Sequence, residues 1–496
     1  MSAPARALRH IQGRLDARTT QLAAIAGYTA SGNLSTLAKV WAELPESDHA
    51  AGSEVVLQNI ATNGIPRTLM GLTTITEVGV KDRLIVDNWP STAEQRKGFH
   101  EAGLETIKTL YGHKHLRYQD RVRALHPAYG HWCIDFMYGR VRSRPGMDQK
   151  TRALCELVAL GGQIVHPQFR AGVLMALTAG ATLEEIRGVL DMTEEVWGSG
   201  RQAMYDALWQ DLDLDNISET GWRLPEDPAE REKVMATEGA IDPNTTLRPD
   251  FSHLKSVKDI VTPTWRHPLV TTFRNVEGLR DQQRLYALIA ANANAGLLSS
   301  MRHGWAFLKP SEQRAGLEAV LEIAVFAGHH RLHNALRTLH EEGIADIAVD
   351  VEAEDTVDYT KFPENGEAVM SMIYTNTLPG LTKSIQKMHP DIWAWINEWA
   401  YGQVLARPNL TVVEREFVAL ACMVGNATFP QLRSHMRGAL NCGATTDEVR
   451  GILDQTSTAW GQSTQQYMDG YWMAFVKGHR EAKAKKETDL ENLPMI

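Results

Sequence analysis

One offset constrains this chain more than any other feature. A shift of 263 residues carries His126-Pro127 onto His389-Pro390, Trp132 onto Trp395 and Tyr138-Gly139 onto Tyr401-Gly402. It also carries Pro145 onto Pro408, Arg152 onto Arg415, Pro167 onto Pro430, Gly180-Ala181-Thr182 onto Gly443-Ala444-Thr445, and Trp197-Gly198 onto Trp460-Gly461. Residues with such particular backbone and packing demands do not fall into register by accident, and a fixed period means a repeated unit. A shift of 264 does the same for the front of each half: Trp41 meets Trp305, Gly64 meets Gly328 and Arg67 meets Arg331. The chain therefore reads as a tandem duplication of a unit of about 240 residues.

The repeated units are helical. In 413–423 the apolar residues Val413, Phe417, Leu420 and Met423 follow helical spacing. Asn426 to Pro430 interrupts it, because proline suits a first helical turn and not an interior. Leu432, Met436, Ala439 and Leu440 continue a second helix, which Gly443 stops. Thr445 or Thr446 caps the next, with Asp447 and Glu448 in its first turn. No period-two stretch suggests a strand, so the predicted class is all-α. A fainter likeness between 320–344 and 418–444 divides each half again. The predicted modules are 20–80 and 125–215 in an N-terminal half (1–215), and 284–345 and 388–478 in a C-terminal half (265–478). The front modules are read as packing. A linker (216–264) rich in Pro, Asp, Glu and Thr joins the halves. The acidic 344–367 reads as an exposed loop, and 479–496 as a charged tail.

Composition narrows the partners. A chain of 496 residues with 43% hydrophobic and 22% charged residues has ample core material. Its net charge of −9 and pI near 6.1 offer no basic stripe for nucleic acid. No apolar run reaches a membrane span, and no secretory core begins the chain. The four cysteines form no C-x-x-C pair, which fits a reducing compartment. A cytoplasmic location is expected, with Arg6, Arg9, Arg14 and Arg18 as a faint mitochondrial signal.

The stretches YGQVLARPNLTVVEREFVALA and LRSHMRGALNCGATTDEVRGIL, followed by Trp460-Gly461, resemble the carboxymuconolactone decarboxylase family of the alkylhydroperoxidase D-like superfamily. The first half shows a diverged version in YGRVRSRPGMDQKTRALCELVAL and GATLEEIRGVLDMT. The resemblance implies an all-helical fold, a small-molecule substrate, no cofactor and a homo-oligomer, here a dimer or trimer because modules are already joined in one chain. Peroxidase-type relatives have a Glu, a C-x-x-C pair and a His 19 residues after the Glu. Glu416 and His435 keep that spacing, while Thr428 and Gln431 occupy the cysteine positions. Thiol peroxidase chemistry needs an attacking and a resolving thiol, so the resemblance implies the decarboxylase branch. In the twin the four positions hold Ala153, Val165, Gln168 and Gly172, which marks the N-terminal copy as scaffold.

Decarboxylation beside a carbonyl needs a proton donor, a donor for the developing oxyanion and a carboxylate anchor. His435 is the expected proton donor, with Glu416 fixing its tautomer. Arg433 is the candidate anchor by residue type, but it stands about 200° round the helix from His435 and does not face the same way; a subunit boundary is the alternative. Trp399, Tyr401 and Trp460 are candidate walls. His329 and His333 share a helix face with His340 and compete for attention. Spacing alone permits a metal between His329 and His333, but no third ligand is evident and none is assigned; lining the His435 pocket is the alternative. An alkylhydroperoxidase-like antioxidant protein and a non-catalytic duplicated scaffold remain alternative functions.

Overall fold

The computed structural model describes residues 14–87, 90–162, 166–212, 220–239, 278–340 and 359–491. It is all-helical, with no strand among the described residues. Thirteen helices carry the argument: α1 (Ala17–Ser31), α2 (His49–Val78), α3 (Ala93–Tyr111), α4 (Trp132–Arg142), α5 (Gln149–Ala159) and α6 (His166–Thr178) in the first half, with α7 (Asp281–Ala295), α8 (Gln313–Ala327), α9 (His329–His340), α10 (Phe362–Tyr374), α11 (Ile396–Leu405), α12 (Val412–Asn426) and α13 (Phe429–Asn441) in the second.

Local chemistry sets the same boundaries in both halves. His126 and His389 are extended, and each Nδ1 accepts the backbone N–H two residues on, capping a short helix that opens with proline. Burial and nearby arginine charge, Arg407 and Arg144 respectively, lower each imidazole to about 3, so both stay neutral and keep Nδ1 as an acceptor. Each short helix runs into a widened π-type helix, α4 or α11. Two buried ion pairs also recur: Arg144 grips Glu54 through Nε and Nη2 at 2.9 Å each, and Arg407 grips Glu318 with the same atoms and distances.

The halves meet on buried surfaces. Phe136 on α4 stacks on Trp399 on α11 at 4.1 Å, and these two residues are themselves related by the 263 shift. Gly64 and Gly328, related by 264, cross in the same reciprocal way. A Cβ on Gly64 would meet the Phe326 backbone at 2.5 Å, and one on Gly328 would meet the Thr62 backbone at 2.6 Å. Both glycines have positive φ, which kinks α2 at Gly64 and separates α8 from α9 at Gly328. Around the contact, Arg140 pairs with Asp87 and Glu398, and Arg144 reaches Asp391 at 2.7 Å.

Three expectations need correction. The segment 344–367 is not all loop: Phe362 starts α10, and 341–358 lies outside the described residues. Within the linker, Trp222 packs back on the first half, where its carbonyl accepts from His113 N–H at 3.0 Å, and Pro228–Gly239 is helical. The front modules are more than packing, because α2 and α9 supply side chains to polar or cavity-lining positions described below. None of the described helices is long and apolar enough to cross a membrane.

Candidate functional site

The site is built at the turn between α12 and α13. Thr411 caps α12 in a reciprocal box with Glu414. The helix ends at Ala427, held in the left-handed region at φ 53, and Pro430 opens α13. This turn lays α13 back along α12. His435 Nδ1 then lies 3.1 Å from both carboxylate oxygens of Glu416. Glu416 is fully buried and His435 nearly so. Beside a carboxylate, Nδ1 is the nitrogen that carries a proton, which leaves Nε2 for other partners.

The imidazole lines a pocket with about 180 Å³ of open space. The second half contributes Phe326, Met370, Tyr374, Ile396, Tyr401 and Ser434, among others. The first half contributes Ile65, Pro66, Leu69 and Thr73 from α2. The pocket therefore lies between the halves of one chain. No Asp, Glu, Lys or Arg is among its lining residues. Tyr374 and Tyr401 hydroxyls meet at 2.5 Å, and burial raises both phenols above their ordinary range. In that pair one hydroxyl donates to the other, leaving one O–H to donate elsewhere.

A second carboxylic acid stands behind the pair. Burial pushes Glu322 up to about 8, against the pull of Arg415 and with help from the neighbouring charges of Glu416 and Glu318. At neutral pH Glu322 is largely protonated, so it can sit beside the Glu416 carboxylate without a second full charge.

Of the residues expected from sequence, the structure brings Glu416, His435 and Tyr401 together. It does not bring the others. Arg433 is exposed on the far side of α13, as its angle on the helix predicted, and is no carboxylate anchor in this pocket. Trp399 is buried in the contact between halves. Trp460 packs over Gly425 and stands 37% exposed, away from the pocket. His329 and His333 lie in a different cluster, where both rings meet the Tyr129 hydroxyl at 3.0 Å rather than a shared ion. Among the described residues no group of His, Cys, Asp and Glu is arranged to hold a metal. Sequence reasoning missed Tyr374 and Glu322. The 263 shift carries Tyr111 onto Tyr374, and that match was the available signal.

Residues 390–467 match the carboxymuconolactone decarboxylase family. This block of the chain is carboxymuconolactone decarboxylase-like. Similar curated proteins include Peroxisomal protein 2 of Saccharomyces cerevisiae, 31% identical over 18% of this chain and 33% of the relative. A nitrosuccinic acid decarboxylase of Metarhizium robertsii is 40% identical over 11% of this chain and 38% of its own length. The 4-carboxymuconolactone decarboxylase of Acinetobacter baylyi is 28% identical over 14% and 53%. These matches thus span from a third to about half of each relative's length. No solved structure gives a significant match. The carboxymuconolactone decarboxylase-like match ends on the helix that follows Trp460, and within it lie both members of the Glu416–His435 pair.

Proposed function

We propose that this chain is a cofactor-independent carboxy-lyase acting on a small carboxylated lactone, ketone or similarly activated acid. The observation that carries the reading is His435, held by buried Glu416 and facing a small, mostly apolar pocket. A carboxylate in apolar surroundings is poorly solvated relative to the charge-dispersed state that follows loss of CO2. The C–C bond breaks, its electron pair moves into the adjacent unsaturated carbonyl, and CO2 leaves. The free hydroxyl of the Tyr374–Tyr401 pair donates to the resulting enolate oxygen. His435, charged and balanced by Glu416, gives its Nε2 proton to the carbanion carbon. One proton is consumed per turnover, and it returns to His435 from solvent.

Names of relatives support the class: two are decarboxylases of small acids. The test is CO2 release from a panel of carboxylated lactones and β-activated acids, with wild type and His435→Gln. A general acid supplies about 10²–10⁴-fold, and the variant is expected to lose that much. Full turnover by a folded His435→Gln protein sinks the assignment.

A non-catalytic peroxisomal role is a second reading, favoured by the yeast relative's printed name. Failure of every substrate in the panel, with peroxisomal import of the tagged chain, would favour it. Thiol peroxidase chemistry gains no support. Burial raises Cys155 to about 12 and Cys442 to about 11, and Cys422 further, so none is a ready thiolate.

A further inference from the structure

The 263 and 264 shifts that relate the halves also relate the His435 pocket to a second place in the fold. Ile65 and Leu69 map onto His329 and His333, Leu381 onto Tyr118, and Leu405 onto Arg142. Four apolar lining positions have become two imidazoles, a phenol and a guanidinium. The N-terminal copy has lost the Glu–His pair, but it has not become an apolar scaffold.

The cluster is cross-built like the pocket, with α9 from the second half meeting α4 and its neighbours from the first. Tyr129 hydroxyl is held by His329 Nε2 and His333 Nδ1. His330 Nε2 lies 3.0 Å from Glu156, whose other oxygen pairs with Arg142 Nη1. Tyr111 and Tyr138 hydroxyls meet at 2.9 Å and lie within the field of Arg142. Burial, with the charges of Arg337 and Arg121, lowers His333 to about 3, and burial beside His330 holds His329 well below its ordinary value, so these two imidazoles add no positive charge.

Arg142 is the telling residue. It is 5% exposed, yet its Nε and Nη2 have no hydrogen-bond partner among the described residues. A buried guanidinium edge left unpaired is costly. Nε and Nη2 form one edge of the fork, whose two parallel N–H groups match the two oxygens of a carboxylate. The chain shows what that edge takes: Arg144 and Arg407 use the same atoms to grip Glu54 and Glu318. For Arg142 no carboxylate among the described residues fills the equivalent place. Half-buried Arg121 likewise has no paired acid among the described residues.

We propose that this Tyr–His–Arg cluster is a second small-molecule site, which takes a small organic carboxylate on the free edge of Arg142. The site is separate from the His435 pocket and does not depend on the reaction assigned there.

The probes are benzoate and succinate, titrated calorimetrically into the full-length chain carrying His435→Gln, which removes the proton donor of the first pocket. Saturable binding of at least one is expected. Adding Arg142→Gln is expected to weaken it about 10–100-fold, the range for a hydrogen bond to a charged group. Because Arg142 also holds Glu156, Arg121→Gln is the second variant, and weakening of several-fold is expected there. If Arg142→Gln fails to fold, Arg121→Gln decides alone. The proposal is overturned if neither carboxylate binds the His435→Gln protein, or if binding is unchanged in the folded variants. Binding of inorganic phosphate in preference to both carboxylates overturns the ligand class.

Discussion

At the scale of single residues, the site depends on charges held where water cannot reach them. Glu322 makes a prediction about pH. Its folded pKa, raised from 4.5 to about 8, exceeds its unfolded value. The folded state therefore keeps a proton that the unfolded chain has already released between those values. Stability from this group is present below about pH 4.5 and is lost as pH rises through about 8. In Glu322→Gln, denaturant midpoints followed across that window should decline less steeply than in wild type. A slope that stays the same would mean Glu322 ionises in the folded protein as it does in water. Glu416→Gln addresses the pair itself. It keeps a hydrogen bond to His435 but withdraws the balancing charge, so the rate of CO2 release should fall. The pairing of Glu416 with His435 was legible from their spacing of 19, because α12 and α13 are joined by a short turn that proline announces. Glu322 was not, because it arrives on α8, an element distant in sequence from the motif, and Tyr374, on the equally separate α10, was marked only by its repeat partner Tyr111.

At the scale of elements, caps and turns were the most legible part of the chain. Thr445 caps the helix it was expected to cap, and the structure adds the His-Pro pairs and Thr411 as caps of theirs. His389→Ala should cost about 1 kcal/mol in thermal or denaturant unfolding, the usual loss for a cap, while His389→Asn should recover most of it. Ala427 tests the turn that aims His435. A non-glycine residue in the left-handed region carries about 1–2 kcal/mol of strain, so Ala427→Gly is expected to be neutral or stabilising by up to about 1 kcal/mol. A clear destabilisation by the same measurement would show that the Ala427 methyl packs more than it strains. The helices α3 and α10 fell outside the modules read from sequence. Each packs along a π-type helix, α4 or α11, and that partnership exists only in three dimensions.

At the scale of the whole molecule, both polar centres draw residues from both halves. This explains why His329 and His333 misled sequence reasoning. Their helix face was correctly seen, but it belongs with Tyr129 and not with His435. The halves are joined by buried ion pairs as well as by stacked rings. Arg140→Met should leave Asp87 and Glu398 buried without their cation and cost about 3–5 kcal/mol, measured by equilibrium unfolding. A loss under about 1 kcal/mol would mean that water or relaxation takes the cation's place.

The reciprocal crossing of Gly64 and Gly328 has a consequence in time. The first glycine, Gly64, leaves the ribosome 262 residues before Phe326, the backbone it must touch, a delay on the order of tens of seconds at ordinary rates of synthesis. Through that interval the nascent first half presents a surface shaped for a partner of nearly the same shape. On a crowded polysome the first such partner to appear can belong to a neighbouring chain. Exchanged dimers, in which each first half is completed by the other chain's second half, are the characteristic misassembly of this architecture, and their yield should rise with the rate of expression.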